Sequence, residues 1–437
     1  MRSIWRAAKP KISSRFIKPA QLHGAASSLP QDELVDEEAC PAYSSKCFYP
    51  ANPGEIFASS YQAVVKVGWG TRSTVWLARN IARRGWQPKH YVILKINNAG
   101  SHEADHERGI EEHIAQRNQS HRGYEIIRTC KTSFEVAGPE GAHLCLAYEP
   151  MREPLWLFQR RFTDQRLPLP IMKSYLLMLL AGLDYLHSEC RVVHTDLKLE
   201  NILVTFENQN VIEDFIKTQA GLPMEYKTDP TGRTIYRCHN DFGPLKALNN
   251  LPKIADFGLA ARLDNEGDLG VYPIQPDHYR APEVILGCGW TFSTDIWNLG
   301  VLIWDIVERT ELFCHVHDAR GYYDGKAHLA EMIALLGPPP KKLLEKSNAK
   351  WPNPVRNGEG KLCSNAQEYF GGPFFSEEGR FLHGNLIPTR KLSDTLPSFE
   401  EKERVKFLSF VSAMLSWLPE ERRTARELME HPFLSLE

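Results

Sequence analysis

The stretch VVHTDLKLEN, Val192–Asn201, decides how the rest of the chain is read. Two β-branched residues run into a segment that sets His194, Asp196, Lys198 and Asn201 close together. Alone, such a segment is as compatible with a helix C-terminus and its turn as with a reactive loop. Thr195, between the histidine and the aspartate, sharpens the question of whether a site here is intact. The flanking sequence has to answer it.

The 437-residue chain has room for a two-lobed unit of about 250–350 residues with extensions. Hydrophobic residues make up 42 % and charged residues 24 %, the balance of an ordinary soluble globular protein. A formal net charge of −2 argues against non-specific binding to nucleic acid or a membrane surface. The apolar run Ser174 to Leu183 is too short to cross a bilayer and reads as buried helix. Nine cysteines without C-x-x-C spacing argue against a disulfide framework or a zinc site, and for a reducing compartment. Arg2, Arg6, Lys9, Lys11, Arg15 and Lys18 precede the first acid, Asp32. That composition fits a disordered basic tail, with residues 1–50 as an extension, or a mitochondrial transit peptide.

From Tyr61 the pattern becomes strand-like. YQAVVKVGWG and STVWLARN predict a hairpin around a glycine turn, and HYVILKIN a third strand. EADHERGIEEHIAQRN carries Ile110 and Ile114 at helical spacing and predicts an exposed amphipathic helix. HLCLAYEPM is a further strand running into a linker, and helical patterning begins with LPIMKSYLLMLLAGLDYLHSEC. The expected architecture is α+β and two-lobed: a β-rich N-lobe over 61–148 with one helix, a hinge at 149–151, and a mostly α-helical C-lobe over 152–434.

Gly68-Trp69-Gly70-Thr71-Arg72-Ser73-Thr74-Val75, Lys95 in VILK, HTDLKLEN, D-F-G, HYRAPE and STDIWNLG follow one another in the order found in eukaryotic protein kinases. Over about 370 residues the chain resembles that superfamily. The resemblance implies the bilobal kinase fold, ATP and Mg²⁺ as cofactors, and transfer of the γ-phosphate to a protein. Glycines let the turn approach the phosphates, so Val67, Gly68, Trp69, Gly70 and Val75 would line the nucleotide, with Glu149 and Met151 of the linker. Lys95, mid-strand among Val92, Ile93 and Ile96, needs an anion, because an unpaired buried charge is costly. Glu107 shares a helix face with Ile110 and Ile114 and is the chosen partner, with Glu103 and Glu111 as alternatives.

By the same resemblance Asp196 would accept the substrate hydroxyl's proton, and Lys198 would neutralise charge on the γ-phosphate. Asn201 would offer an oxygen to Mg²⁺. D-F-G occurs twice. Asp256-Phe257-Gly258 follows the apolar LPKIA, which predicts a short buried strand, so Asp256 is assigned to the metal. Asp241-Phe242-Gly243, among polar residues and before Pro244, is expected to be a decoy in an inserted loop. Glu283 is expected to pair with Arg422, and Asp295 to support the catalytic-loop backbone.

Arg280 before A-P-E, and an insert at about 337–398 opening on MIALLGPPP, resemble the branch that holds cyclin-dependent, mitogen-activated and SR-protein kinases. WGTRSTVWLA, HTDLKLEN and the insert 205–251 most resemble SR-protein kinases, particularly fungal ones, whose catalytic loop likewise carries threonine. The usual arginine pairs with an activation-loop phosphate, and Thr195 cannot. The site is therefore expected to be complete and not gated by phosphate. In the insert, IEDFIKTQAGLP is expected as a short helix and TGRTIYRCHNDFGPLKALNN as ordered loop, either plain or regulatory.

Between 261 and 331, twelve acidic side chains against five basic ones leave a local charge of −7. That suits an Arg-rich peptide substrate as well as a solvated surface. The leading expectation is a monomeric serine/threonine kinase of Arg/Ser-rich protein segments, in cytoplasm and nucleus, without direct nucleic-acid or membrane binding. A weak pseudokinase or scaffold and a small-molecule phosphotransferase are the alternatives. The basic N-terminus leaves the mitochondrion as the alternative location.

Overall fold

A computed structural model describes residues 27–41, 43–82 and 90–435. The basic segment on which the transit-peptide reading rests lies outside the described residues as far as position 26.

The alternating segments form a six-stranded antiparallel sheet from β1 (Ile56–Phe57), β2 (Tyr61–Gly70), β3 (Ser73–Asn80), β4 (Tyr91–Asn97), β5 (Thr132–Gly138) and β6 (Gly141–Tyr148). Its order is β1-β2-β3-β4-β6-β5. The register sets Gly70 opposite Ser73 and Val75 opposite Lys95. Directly opposed residues share a face, so Val75 and Lys95 point to the same side of the sheet. Between β4 and β5 runs α1 (His102–Ala115), whose N-terminus is capped by Ser101 Oγ accepting from Ala104 N at 3.3 Å. Ala104, Glu107, Ile110, Glu111 and Ile114 are its buried residues, one face at helical spacing.

The C-lobe is built around the helix Leu169–Asp184 and the almost wholly buried helix Ser293–Val307. Residues 163–190 contain an 18-residue window apolar enough for a membrane span, but 67 % of that window is buried within the protein. Leu176, Leu179, Leu180 and Leu183 sit in the C-lobe core.

Two expectations are corrected here. Residues 27–41 and 43–50 are not a disordered extension. Their acidic run meets cations that local composition does not reveal. Lys66 of β2, only 1 % exposed, pairs with Glu37 and lies 3.0 Å from Asp36. Arg233 reaches Glu37 at 2.7 Å and Lys227 reaches Glu38 at 2.8 Å. Both cations come from the 205–251 insert, where Tyr226–Thr228 pairs antiparallel with Thr234–Tyr236 inside the segment expected as loop. The expected helix is present as Asn210–Gln219, and its Val211, Ile212 and Phe215 join the N-lobe core beside Trp76, Leu77 and Leu94. The insert thus leaves the C-lobe and covers the N-lobe.

Burial alone would raise the Glu37 pKa, but Lys66 and Arg233 together hold it below 4.5. A depressed carboxylate contributes stability above its unfolded pKa and loses it as pH falls through the folded one. We predict that Lys66→Ala costs about 3 kcal/mol at pH 7, because Glu37 and Asp36 lose a buried cation and Arg233 alone is left against Glu37. The gap to wild type should narrow as pH drops below 4.5, and urea melts of both proteins across that range check it.

Candidate active site

The catalytic-loop segment is positioned by two short strand pairs. Val192–Val193 pairs with Ala261–Arg262, and Ile202–Val204 with Pro252–Ile254, where Ile202 faces Ile254. Asn201 lies one residue before the first of these partners and Asp256 two after the second, so the register alone brings them together. Ala255 N donates to Asn201 O at 2.9 Å and closes the gap. Asp256 adopts φ 66, a left-handed conformation uncommon for a non-glycine residue.

Asp295, on the helix Ser293–Val307, accepts from His194 N at 2.7 Å and Thr195 N at 3.0 Å, and lies 2.9 Å from His187 Nε2. These contacts hold Thr195 at φ 68. Thr195 Oγ1 donates to Leu259 O at 2.7 Å, tying the loop to the residues just after Asp256-Phe257-Gly258. Asp196 Oδ2 accepts from Lys198 Nζ and from Asn201 Nδ2, each at 2.8 Å. Glu283 and Arg422 form a fully buried bidentate pair, both contacts at 2.6 Å.

A cleft of about 760 Å³ lies between the lobes. Val67, Gly68, Trp69, Gly70 and Val75 line it from above, with Lys95, Glu107 and Met151 behind and Asp196, Lys198, Asn201 and Asp256 below. Lys95 Nζ sits 2.7 Å from Glu107 and 3.5 Å from Asp256. Of the three acids considered on α1, Glu107 is the one facing Lys95. Burial works against the Lys95 charge, but Glu107 and Asp256 outweigh it and hold the pKa above its usual value. Burial likewise opposes ionisation of Asp256, while Lys95, His194 and Lys198 keep its pKa below the usual carboxylate value. The cleft therefore presents a fixed ammonium beside the ionised carboxylate of Asp256 at neutral pH, a combination that positions a phosphate chain and hard cations.

Glu149 is the site residue that the structure places elsewhere. It does not line the cleft: its carboxylate lies 3.2 Å from Lys253, and its carbonyl accepts from Arg128 at 3.1 Å. A linker residue with an exposed long side chain contributes backbone, and its sequence position alone does not say where that backbone faces. The cleft also contains residues that sequence reasoning missed. Tyr148 donates to Glu111 at 3.2 Å and to Glu107 at 3.3 Å, and the Arg128 guanidinium covers its ring at 4.3 Å. Burial and the charge of Glu107 push the Glu111 carboxyl up to about 8. Leu203, two residues past Asn201, was legible from strand alternation. Asn240 and Phe242 were not. Asp241 is exposed in the inserted loop, yet Phe242 of the same triplet is buried against Phe206 and Phe215 and helps wall the cleft.

The family described as protein kinase domain matches residues 61–236 and 241–434. The break between them falls in the insert, directly before Asp241. A serine/threonine protein kinase of Aspergillus fumigatus is 36 % identical over 405 residues, spanning 92 % of this chain and 91 % of its own. The serine/threonine-protein kinase SRPK of Physarum polycephalum is 29 % identical over 427 residues, covering 92 % of each chain. A crystallised kinase domain gives a TM-score of 0.62 at 22 % identity, covering 89 % of this chain and 99 % of that one, a likeness of fold.

Asp295→Asn keeps the side chain's size but replaces one acceptor with a donor facing a backbone N–H. We predict a fall in kcat of about 100-fold from the misplaced loop, with nucleotide affinity changed little. Steady-state kinetics and calorimetric nucleotide titration check it.

Proposed function

From a chain that belongs to the protein kinase family, among its SR-protein-kinase-like members, and is a serine/threonine protein kinase, we propose a narrower activity. It transfers the ATP γ-phosphate to serine in Arg/Ser-rich protein segments, without needing a phosphate on its own activation segment. The serine oxygen attacks the γ-phosphorus, the bond to the β–γ bridging oxygen breaks, and ADP leaves. Asp196 takes the serine proton, and Lys198, 2.8 Å from it, faces the charge on the phosphate in flight. Lys95, oriented by Glu107, holds the nucleotide's phosphates.

Asn201 and Asp256 would hold Mg²⁺. Asn201 Nδ2 is engaged by Asp196, which leaves Oδ1 as its free cation ligand. One amide and one carboxylate oxygen suit an ion that keeps waters and takes phosphate oxygens. Among the described residues no group of three or more His, Cys, Asp or Glu forms an all-protein cage. When bound with the nucleotide, Mg²⁺ supplies charge neutralisation at the phosphate oxygens.

The substrate reading is carried by the carboxylates around Tyr279. Its hydroxyl donates to Asp305 Oδ2 at 2.8 Å, and Glu200, four residues past Asp196, acts electrostatically on the same pair with Glu311. Burial, then Glu311 and Glu200, push the Asp305 carboxyl up to about 7 despite the Tyr279 bond. A guanidinium arriving beside the phosphoacceptor would meet this group of acidic side chains and favour their ionised form. The proposed independence from phosphate rests on contacts made within the chain. Thr195 Oγ1 holds Leu259 O, and Arg280 Nε and its terminal nitrogen donate to Ile274 O at 3.1 Å and Gln275 O at 2.8 Å. No Ser or Thr occurs from Leu259 to Tyr279.

Radiolabelled ATP offered with an Arg-Ser repeat protein, a generic basic protein and no protein tests the activity. The repeat protein should be labelled fastest, and equal labelling of the generic protein would sink the substrate reading. Asp196→Ala and Asp256→Ala should each lower kcat by at least about 1000-fold, while Asp241→Ala stays near wild type.

Control is tested on bacterially expressed enzyme. Phosphatase treatment should leave the rate unchanged, and Thr195→Arg should not raise it. Thr195→Val, which deletes one hydroxyl, should slow it, because Leu259 O loses its partner. Silencing by phosphatase would show that the segment does rely on a phosphate.

A further inference from the structure

Resting on the kinase reading, we propose that Arg72 is a further catalytic residue, which leaves Glu103 when ATP binds and donates hydrogen bonds to the γ-phosphate.

β2 ends at Gly70 and β3 begins at Ser73, so Thr71 and Arg72 form the turn that overhangs the cleft. Among the described residues five cationic side chains line this cleft: Arg72, Lys95, Arg128, Arg152 and Lys198. Four are committed to interior partners. Lys95 is held by buried Glu107, and Arg152 by fully buried Glu207. Arg128 is stacked on Tyr148 and bonded to Glu149 O, and Lys198 lies on Asp196. Arg72 differs. Its guanidinium pairs with Glu103 at the rim, and the two side chains are 61 % and 52 % exposed.

An exposed ion pair is weak and screened by salt, so a multiply charged phosphate in the cleft competes with it readily. Glu103 does not depend on Arg72. It lies in the first turn of α1, where a negative charge is favoured, and Ser101 Oγ is 3.2 Å from its carboxylate. Arg72 O accepts from Asn98 N at 2.8 Å, which anchors the turn while the side chain rotates. The planar guanidinium fork matches phosphate oxygens better than an ammonium does. Arg72 makes and breaks no covalent bond and stays protonated throughout. It neutralises the non-bridging oxygens as the phosphoryl group passes from ADP to serine.

The test compares wild type, Arg72→Gln and Glu103→Gln in turnover and in ATP and ADP binding. Arg72→Gln should lower kcat by about 100-fold, as loss of one preorganised donor to a transition-state oxygen does. It should weaken ATP several-fold and leave ADP unchanged, since ADP has no γ-phosphate. Glu103→Gln should tighten ATP and not ADP, by removing the competitor. Arg72→Gln with wild-type kcat and ATP affinity overturns the proposal. So does equal weakening of ATP and ADP, which marks a merely structural turn residue. Failure of the parent reading looks different: wild type then binds neither nucleotide or labels no protein.

Discussion

The carboxylate of Asp295 accepts the backbone N–H groups of His194 and Thr195 and lies against His187, all within the C-lobe core. Taking a carboxylate out of water is costly unless hydrogen bonds replace its hydration, and here three donors do so. The same bonds fix the loop backbone in a conformation that a β-branched residue resists. Thr195 at φ 68 persists because the surroundings over-determine it. Asp295 rides on a helix whose Trp297, Leu302 and Trp304 are buried, so the rigidity of the core passes directly to Asp196 and Asn201. Reactive geometry needs that link, since misplacement of about 1 Å can cost about 100-fold in rate.

A second constraint acts on the N-lobe. A small sheet with one helix has little core of its own, and its other face must be covered. The insert supplies the cover through Val211, Ile212 and Phe215, and the strap at 33–38 closes over both with ion pairs to Lys66, Lys227 and Arg233. Buried ion pairs contribute less to stability than their distances imply, because desolvation offsets the attraction. Their effect is geometric: a charge that has one place to go fixes the segment that carries it. Arg152, buried between Glu207 and Gly243 O, ties the insert's base to the hinge beside the cleft. Phe242 and Asn240 therefore form part of the cleft wall as a consequence of how the insert is pinned.

What sequence could show divides along these two constraints. The hairpin around Gly68 and Gly70, the lysine opposite Val75, and Glu107 one face with Ile110 and Ile114 all follow from periods of two and of 3.6, which need only neighbours. The choice of Asp256 over Asp241 rested on the apolar strand before it, and pairing of Pro252–Ile254 with Ile202–Val204 provides that strand. The strap failed this kind of reading. Its partners lie about 30 residues away in β2 and nearly 200 residues away in the insert, and an acidic run with no local hydrophobic period looks unfolded. Arg128 and Tyr148 were missed for a related reason: their contact joins the connection before β5 to the end of β6, and neither residue belongs to a motif that fixes its role.

Thr195 shows how a site can lose a charge and keep its order. An arginine in its place would need a phosphate to complete the contact, so order would depend on a modification and on ionic strength. A hydroxyl bonded to Leu259 O depends on neither. The rest of the segment follows the same logic. Gln275 accepts from Ala281 N at 2.8 Å and donates to Thr294 O at 2.9 Å, while Trp290 Nε1 holds Tyr272 O at 2.8 Å. Arg280, the charged member, lies over the Tyr323 ring at 4.1 Å and gives its hydrogen bonds mainly to carbonyls. Its one ion pair within the segment, to Asp277 at 2.9 Å, is internal, so the contacts that order the segment come from the chain's own side chains. Order built on such contacts forms with the C-lobe itself, and under the proposed independence from phosphate, control would act on access to the cleft or on the substrate.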